Sequence, residues 1–168
     1  INSMTNHSQK ENNSSCLFCD IATGRLTTPG IFWEDSDFMA FLAIDPNTEG
    51  FSCVIPKKHY DSDVLDMPDE VLCRFMVATK QVAQILKNYY ADVGRVGVIM
   101  EGMGINHAHL KLIPMHGTGH LKEGKWRSYS SGPAQWFSTY EGWLSSASGP
   151  LADPKHLQEL ASKLRASY

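Results

Sequence analysis

The segment His107-Ala108-His109-Leu110-Lys111-Leu112 decides how the rest of the chain is interpreted. In an extended strand successive side chains point to opposite faces, so His107, His109 and Lys111 share one face and the apolar residues share the other. The apolar face predicts contact with a core, whereas the polar face carries two imidazoles and an ammonium in a row. Alternation alone leaves two interpretations open: an ordinary exposed strand face, or a site that uses the imidazoles chemically.

The sequence around this segment predicts a small α+β domain. One long amphipathic helix is expected over residues 68–91, where apolar side chains recur at three- and four-residue spacing between Pro68 and Gly94. Turn-forming residues separate the first three β-prone runs, which predicts an antiparallel meander. The five expected strands are Ile31–Glu34, Phe38–Ile44, Phe51–Ile55, Val96–Met100 and His107–Ile113.

Composition excludes several classes of protein. The chain has 168 residues, of which 42% are hydrophobic and 20% charged, and this fits a folded domain rather than a disordered chain. A net charge of −3 does not suit a duplex-binding protein, so a nucleic-acid partner is not expected. No apolar run reaches the roughly 20 residues that span a bilayer, and no signal peptide is recognised. A cytoplasmic protein without a membrane partner is therefore expected.

Three parts of the chain are expected from its composition. Residues 1–15 are polar, which predicts a flexible leader, and residues 1–3, before Met4, are interpreted as a cloning remnant. Residues 16–116 are expected to form the domain. Residues 117–168 are expected to form a C-terminal extension that packs on the domain or on a dimer partner, because they are rich in aromatic residues. The extension should end in a short helix that starts at Pro154 behind Asp153.

Four pieces of the chain together resemble one known family. They are Cys16-Leu17-Phe18-Cys19-Asp20-Ile21, Phe41-Leu42-Ala43-Ile44-Asp45-Pro46, Val54-Ile55-Pro56-Lys57-Lys58-His59-Tyr60 and His107-Ala108-His109-Leu110-Lys111-Leu112-Ile113-Pro114. In order and spacing they resemble the histidine triad (HIT) superfamily of nucleotidyl hydrolases and transferases, in particular its zinc-containing, Hint-like branch. The resemblance implies a five-stranded antiparallel sheet with one long helix, paired as a homodimer whose sheets run together.

The same resemblance implies a structural zinc ion. In zinc-containing members the ligands are a C-x-x-C pair, the histidine after Pro-Lys-Lys and the first triad histidine, which here are Cys16, Cys19, His59 and His107. Two thiolates and two imidazoles complete a tetrahedral shell and leave no open position, which argues against a zinc-dependent metalloenzyme. The alternative is a reduced cysteine pair beside an unrelated surface histidine.

The resemblance also implies that His109, at the second triad position, is a nucleophile. Attack on an α-phosphorus would give a nucleotidyl-histidine that water cleaves, so the expected substrate is a nucleotide-type phosphoramidate, phosphoanhydride or phosphodiester. Lys111 and the loop that carries Gly102 and Gly104 are expected to stabilise charge on the phosphoryl oxygens. The alternative is a non-catalytic nucleotide- or partner-binding protein on the same zinc-stabilised fold.

The chain departs from the pattern of the family near the expected substrate. The third triad position, usually histidine, is Lys111, which could neutralise a phosphate or donate a proton to a leaving group. The residue that usually contacts the ribose hydroxyls falls at Ala43, so Asp45, two residues further on, is the candidate substitute. The loop before the triad is also shorter than is typical. His116, close after Pro114, is a candidate replacement for the missing imidazole.

Overall fold

The structure, a computed structural model, describes residues 16–127 and 151–167. The helices are α1 (Leu17–Ala22), α2 (Asp69–Tyr89) and α3 (Pro154–Arg165), and the strands are β1 (Ile31–Glu34), β2 (Phe38–Leu42), β3 (Ser52–Pro56), β4 (Val96–Ile99) and β5 (Leu110–Pro114). Two 3₁₀ turns span Val64–Asp66 and Gly119–Leu121. The predicted leader and the aromatic-rich residues 128–150 of the extension lie outside the described residues.

The five strands form one antiparallel sheet in the order β1-β2-β3-β5-β4. This arrangement confirms the predicted α+β fold with a five-stranded antiparallel sheet and one long helix. Strand β5 continues the histidine segment and has a neighbour on each side, so that Lys111 lies opposite Cys53 of β3 and opposite Ile99 of β4. The segment that carries the expected chemistry is therefore held by an interior strand.

The alternation of side chains gives the sheet two apolar faces. Val54 and Leu110 point to the face that packs against α2 and α3, where the larger core lies. Phe41 and Cys53 point to the opposite face, where they pack with Phe18 of α1. Because His109 and Lys111 share the parity of Cys53 and not that of Leu110, the expected site falls on the α1 face.

The two longer helices bury one side each against the sheet. In α2 the buried residues recur at three- and four-residue spacing; they are Phe75, Ala78, Thr79, Val82, Ile85 and Leu86. In α3 the Asp153 carboxylate accepts a hydrogen bond from the Lys155 N–H at 3.2 Å and so caps the first turn. Burial of each leucine of α3 contributes about 1.5–3 kcal/mol. The C-terminal helix is thus part of the main core, through Leu157, Leu160, Ala161 and Leu164.

The two edges of the sheet differ in how they are covered. At the β1 edge α3 packs alongside, and Arg165 donates a side-chain hydrogen bond to the Ile31 carbonyl. At the other edge β4 pairs with β5 alone among the described strands, and Val98 is 37% exposed. Unpaired backbone groups at a sheet edge favour pairing with another chain. The β4 edge is therefore the candidate contact between subunits.

The predicted strand over residues 107–113 begins later than expected, at Leu110. The Ala108 N–H donates to the Tyr60 carbonyl at 2.8 Å, in the loop that follows β3, so the residues before Leu110 leave the strand ladder. His107 and His109 are 0% and 3% exposed. This burial excludes the interpretation of the histidine face as an ordinary exposed strand face.

Candidate active site and metal centre

Cys16, Cys19, His59 and His107 come together at one end of the α1 face. One ligand atom from each side chain lies within 4.8 Å of all the others. The Sγ atoms of Cys16 and Cys19 lie 3.3 and 3.5 Å from Nδ1 of His107, and Cys19 Sγ lies 3.4 Å from Nδ1 of His59. Tetrahedral zinc, with bonds of about 2.3 Å to sulfur and 2.0–2.1 Å to nitrogen, separates sulfur from nitrogen by about 3.5 Å. The donor set and its spacing therefore fit zinc.

Contacts outside the cluster orient the two imidazoles. His107 donates its Nε2–H to the Pro56 carbonyl at 2.9 Å, which leaves the lone pair of Nδ1 facing the thiols. Nε2 of His59 lies 3.7 Å from Oδ1 of Asp61. Burial lowers the pKa of His107 and so favours the neutral imidazole that a metal binds. Burial also raises the pKa of the Cys19 thiol to about 11, because it disfavours the charged thiolate. A bound dication would stabilise the thiolate and offset this effect.

His109 is buried next to this cluster and has one ring nitrogen available. Its Nδ1 lies 2.7 Å from the His107 carbonyl oxygen. Because a carbonyl can only accept, Nδ1 carries a proton, and in the neutral tautomer with that proton Nε2 carries the lone pair. The ring of Phe18 packs edge-on against both imidazoles, with centroids 5.8 Å from His107 and 5.5 Å from His109. The imidazole of His109 is thus positioned by the backbone of His107 and by a side chain of α1.

A cavity of about 520 Å³ adjoins His109 on the α1 face. This volume is in the range of small-molecule sites, which are mostly apolar with a few well-placed polar groups. The apolar walls come from α1, from β2 with the loop after it, and from the loop before His107; they include Leu17, Phe18, Ile21, Phe41, Ile44 and Ile105. The polar lining includes Thr27, Thr28, Asp45, His109 and Lys111.

Asp45 lines this cavity, as does Ala43. Alanine has no polar side-chain atom, so Asp45 and the neighbouring hydroxyls of Thr27 and Thr28 are the groups placed to contact a sugar hydroxyl. The structure brings the predicted Asp45 to the cavity, and its contact with a ribose stays a prediction.

Lys111 lines the same cavity, two residues beyond His109. Its Nζ forms an ion pair with Oε1 of Glu101, and the two side chains are 19% and 25% exposed. Opposite Lys111 on β3, burial raises the pKa of the Cys53 thiol to about 12, so this neighbour stays neutral at physiological pH. The carboxylate of Glu101 therefore supplies the negative charge next to the ammonium.

The glycine-bearing loop before the histidines is only partly at the cavity. Gly104 is among the lining residues, whereas Gly102 packs against the loop after β3. Gly102 has a φ of 68°, and a Cβ there would lie 2.7 Å from the Ser62 carbonyl oxygen, so no other residue fits this turn without displacement. Asn106 joins the same two loops, since its side chain accepts from the Ser62 N–H and donates to Asp61, both at 3.0 Å. Of the two predicted phosphate contacts, the structure places Gly104 at the cavity.

His116, a predicted candidate for the missing third imidazole, is not among the residues that line the cavity. Its Nδ1 lies 3.1 Å from Oδ2 of Asp92, and its Nε2 lies 3.1 Å from the Glu49 carbonyl oxygen. A hydrogen bond from the Gly117 N–H, followed by that of His116, lowers the pKa of Asp92, so the partner of this imidazole is an ionised carboxylate. With both ring nitrogens engaged, His116 ties the chain after β5 to the loop after α2.

Several cavity residues were not predicted as site residues. Helix α1 has six residues and no side-chain cap at Cys16, so the sequence shows neither the periodicity nor the start signal of a helix. Thr27 and Thr28 belong to no motif. Glu101, which bonds Lys111 but is not itself among the lining residues, lies ten residues earlier in the loop after β4, and no spacing rule connects the two. The apolar residues inside the cysteine motif, Phe18 among them, were the available signal that this segment packs onto the sheet.

The HIT domain family model matches residues 27–118, which is more than half of the chain. The chain belongs to the HIT domain family, as its four motifs implied. The match begins after α1 and ends before α3, so neither helix is part of it. In the described part of the chain, no helix has the length and apolar character needed to cross a membrane.

Two curated relatives illustrate the similarity. An uncharacterised HIT-like protein of Methanocaldococcus jannaschii is 35% identical over 108 residues, which are 60% of this chain and 79% of that protein. An adenosine 5′-monophosphoramidase of Saccharomyces cerevisiae is 31% identical over 101 residues, which are 60% of this chain and 63% of that enzyme.

Two solved structures are similar over most of the chain. A hypothetical histidine triad nucleotide-binding protein of Sulfolobus tokodaii has a TM-score of 0.66 at 21% identity, and the match covers 90% of this chain and 91% of that one. A zinc-bound histidine triad family protein of Mycobacterium smegmatis has a TM-score of 0.54 at 23% identity, with coverages of 91% and 92%. At identities of 21% and 23%, the similarity to these two structures shows a shared fold and nothing further.

Proposed function

We propose that the chain is a hydrolase, or a transferase, that acts at the α-phosphorus of a nucleotide-type substrate through a covalent intermediate on His109. The main support for this proposal is the position of His109, which is buried and lines the cavity. Its Nδ1 donates to the His107 carbonyl, and in this neutral tautomer Nε2 carries the lone pair. Nε2 attacks phosphorus, the bond to the leaving group breaks, and that group departs with the electron pair. Water then attacks the phosphorus, the phosphorus–nitrogen bond breaks, and a nucleoside monophosphate is released.

The cavity supports a nucleotide as the substrate. Its apolar walls suit a base, and Asp45, Thr27 and Thr28 offer acceptors and hydroxyls for the sugar. Because the yeast relative is an adenosine 5′-monophosphoramidase, adenosine 5′-phosphoramidate is the first substrate to test. Phosphoanhydrides and phosphodiesters of nucleosides form the rest of the proposed class.

The covalent intermediate can be observed directly. The protein is mixed with isotopically labelled adenosine 5′-phosphoramidate, quenched with base on the millisecond scale, and digested for mass spectrometry. A nucleoside monophosphoryl group on the peptide that contains His109 supports the proposal. Tight binding of the compound without adduct or turnover supports instead the non-catalytic binding protein.

Replacing Lys111 with alanine is expected to slow the chemical step by on the order of 10²–10³. We expect a similar loss for good and poor leaving groups, because the ammonium beside Glu101 serves to neutralise the phosphoryl oxygens. Single-turnover rates over a series of amine, alkoxide and aryloxide leaving groups measure this. A loss that is large for the alkoxide and small for the aryloxide would identify Lys111 as the general acid. Lys125→Ala, in the exposed pair with Glu123, is the control.

The proposal includes one structural zinc ion per chain, held by Cys16, Cys19, His59 and His107. The support is the donor set and the spacing of its atoms. A metal with four protein ligands supplies a cross-link rather than a reactive water. Here the cross-link would join the start of α1, the loop after β3 and the backbone next to His109. The predicted cytoplasmic location stays a prediction.

We also propose a two-fold homodimer through the β4 edge. Light scattering at micromolar concentration is expected to give twice the mass of the chain, because this edge is open among the described residues and its Val98 is exposed. Val98→Asp should shift the mass toward the monomer. Val77→Asp, on the exposed side of α2, is the matched control and should not. A monomeric unmodified protein would contradict the proposal.

A further inference from the structure

The pair Glu101–Lys111 differs from the other ion pairs of the described residues in its burial. Both of its side chains are at most a quarter exposed, whereas every other described pair has at least one partner that is more than half exposed. Surface pairs are screened by water and restrain their side chains weakly. A pair at a cavity wall restrains them more, because solvent competes less for the ammonium.

The sheet register explains why these two residues meet. Lys111 lies opposite Ile99, the last residue of β4, and Glu101 follows two residues further on. Residues two apart on an extended segment point to the same side, so the carboxylate of Glu101 reaches the side on which Lys111 and His109 lie. The ammonium is thereby held at the cavity wall next to the imidazole.

The contacts of Glu101 indicate that it acts through Lys111. Oε1 accepts from the ammonium, while Oε2 is buried and receives no hydrogen bond from any residue within the described ranges. A buried carboxylate oxygen without a donor is unfavourable for stability. Stability alone therefore does not explain why a glutamate occupies this position. The position that it gives to the Lys111 side chain is the better explanation.

We propose that Glu101 is a positioning residue for Lys111: it holds the ammonium at the cavity wall next to His109, where the transferred phosphoryl group would lie. This inference rests on the proposed function. A lysine side chain is flexible and its ammonium has three donors. One donor bonds Glu101, which leaves the other two for phosphoryl oxygens.

Glu101→Gln tests the proposal, because it keeps the shape of the side chain and removes its charge. With adenosine 5′-phosphoramidate we expect kcat to fall about 10- to 100-fold while KM changes little, as for a misplaced catalytic group. The substitution also leaves the Lys111 ammonium without its ionic partner, so the melting temperature is expected to fall, and kcat is compared at a temperature where both proteins are folded. Glu123→Gln, in the exposed pair with Lys125, is the matched control and should turn over at the rate of the unmodified protein.

A double-mutant cycle shows whether Glu101 acts through Lys111. Lys111→Met alone is expected to be slow, and adding Glu101→Gln should slow it less than twofold further. Equal fractional losses in both backgrounds would overturn the proposal, and so would a Glu101→Gln variant with the kcat of the unmodified protein. If Glu101→Gln does not fold, Glu101→Asp, which keeps the charge, takes its place. An unmodified protein without turnover refutes the proposed function itself, whereas an active one with an unaffected Glu101 variant refutes only this inference.

Discussion

Replacing His109 with alanine is expected to reduce the turnover of adenosine 5′-phosphoramidate by at least about 10⁴-fold, because the covalent route loses its nucleophile. No other described imidazole can take its place at the cavity. His107 has one nitrogen bonded to Pro56 and the other directed at the thiols, and both nitrogens of His116 are engaged. The loss should appear in kcat, since the apolar walls that we propose to hold the nucleoside are unchanged.

Stopped-flow turnover and calorimetric binding of adenosine 5′-monophosphate together check this expectation. The His109→Ala variant should bind the nucleotide with an affinity within about tenfold of the unmodified protein, because attack on phosphorus is the step that is lost. His156→Ala, at an exposed position of α3, should leave both measurements unchanged. Full activity of the His109 variant would contradict the enzymatic proposal and leave the binding protein as the explanation.

Replacing Cys16 with serine is expected to lower the melting temperature by about 10 °C, because the metal cross-link is lost. A ligand at a thousandfold excess over its dissociation constant stabilises the folded state by about 4 kcal/mol. For a domain of this size, 1 kcal/mol corresponds to about 2–4 °C. Cys16 precedes α1, whose Phe18 and Ile21 belong to the smaller core, so the loss also loosens that face of the sheet.

Scanning calorimetry, with elemental analysis of protein purified without added metal, measures this effect. One zinc ion per unmodified chain is expected, and markedly less in the Cys16→Ser variant. Cys73→Ser is the matched control, because Cys73 is exposed on α2 and outside the ligand cluster. Equal melting temperatures for the metal-loaded and metal-free proteins would refute a structural role for the ion.

The sequence predicted the sheet and the long helix because both have strong periodic patterns. Helix α2 was expected over residues 68–91 and spans Asp69–Tyr89, and the alternation in the histidine segment placed His109 and Lys111 on one face. The limits of the strands were less well predicted. The hydrogen bond from the Ala108 N–H to the Tyr60 carbonyl takes the residues before Leu110 out of the sheet, so β5 begins later than predicted. These two residues are 48 apart in the chain, and such a distant contact produces no local sequence pattern.

Site residues could be predicted from the sequence only where they belong to a recognisable motif. The cysteine pair and its two histidines meet as the family resemblance implied. His116 was a candidate for the missing imidazole because it lies close after Pro114; in the structure it contacts Asp92 and Glu49, and a role at the substrate stays a prediction. Glu101 was not predicted as a site residue. Its contact with Lys111 depends on the register of β4 against β5, and no spacing in the sequence indicates that register.

The hydrogen bond from the Ala152 N–H to the Ile44 carbonyl, at 2.7 Å, couples the C-terminal segment to the wall of the cavity. Helix α3 begins two residues later and is part of the main core, so we expect the wall around Ile44 and this helix to open together in local unfolding. Transient release of α3 would therefore open the cavity as well. A fragment trimmed to the limits of sequence similarity, residues 27–118, would lack this support at one end and two metal ligands at the other. We therefore expect the smallest autonomous folding unit to be longer than the stretch that the family model matches.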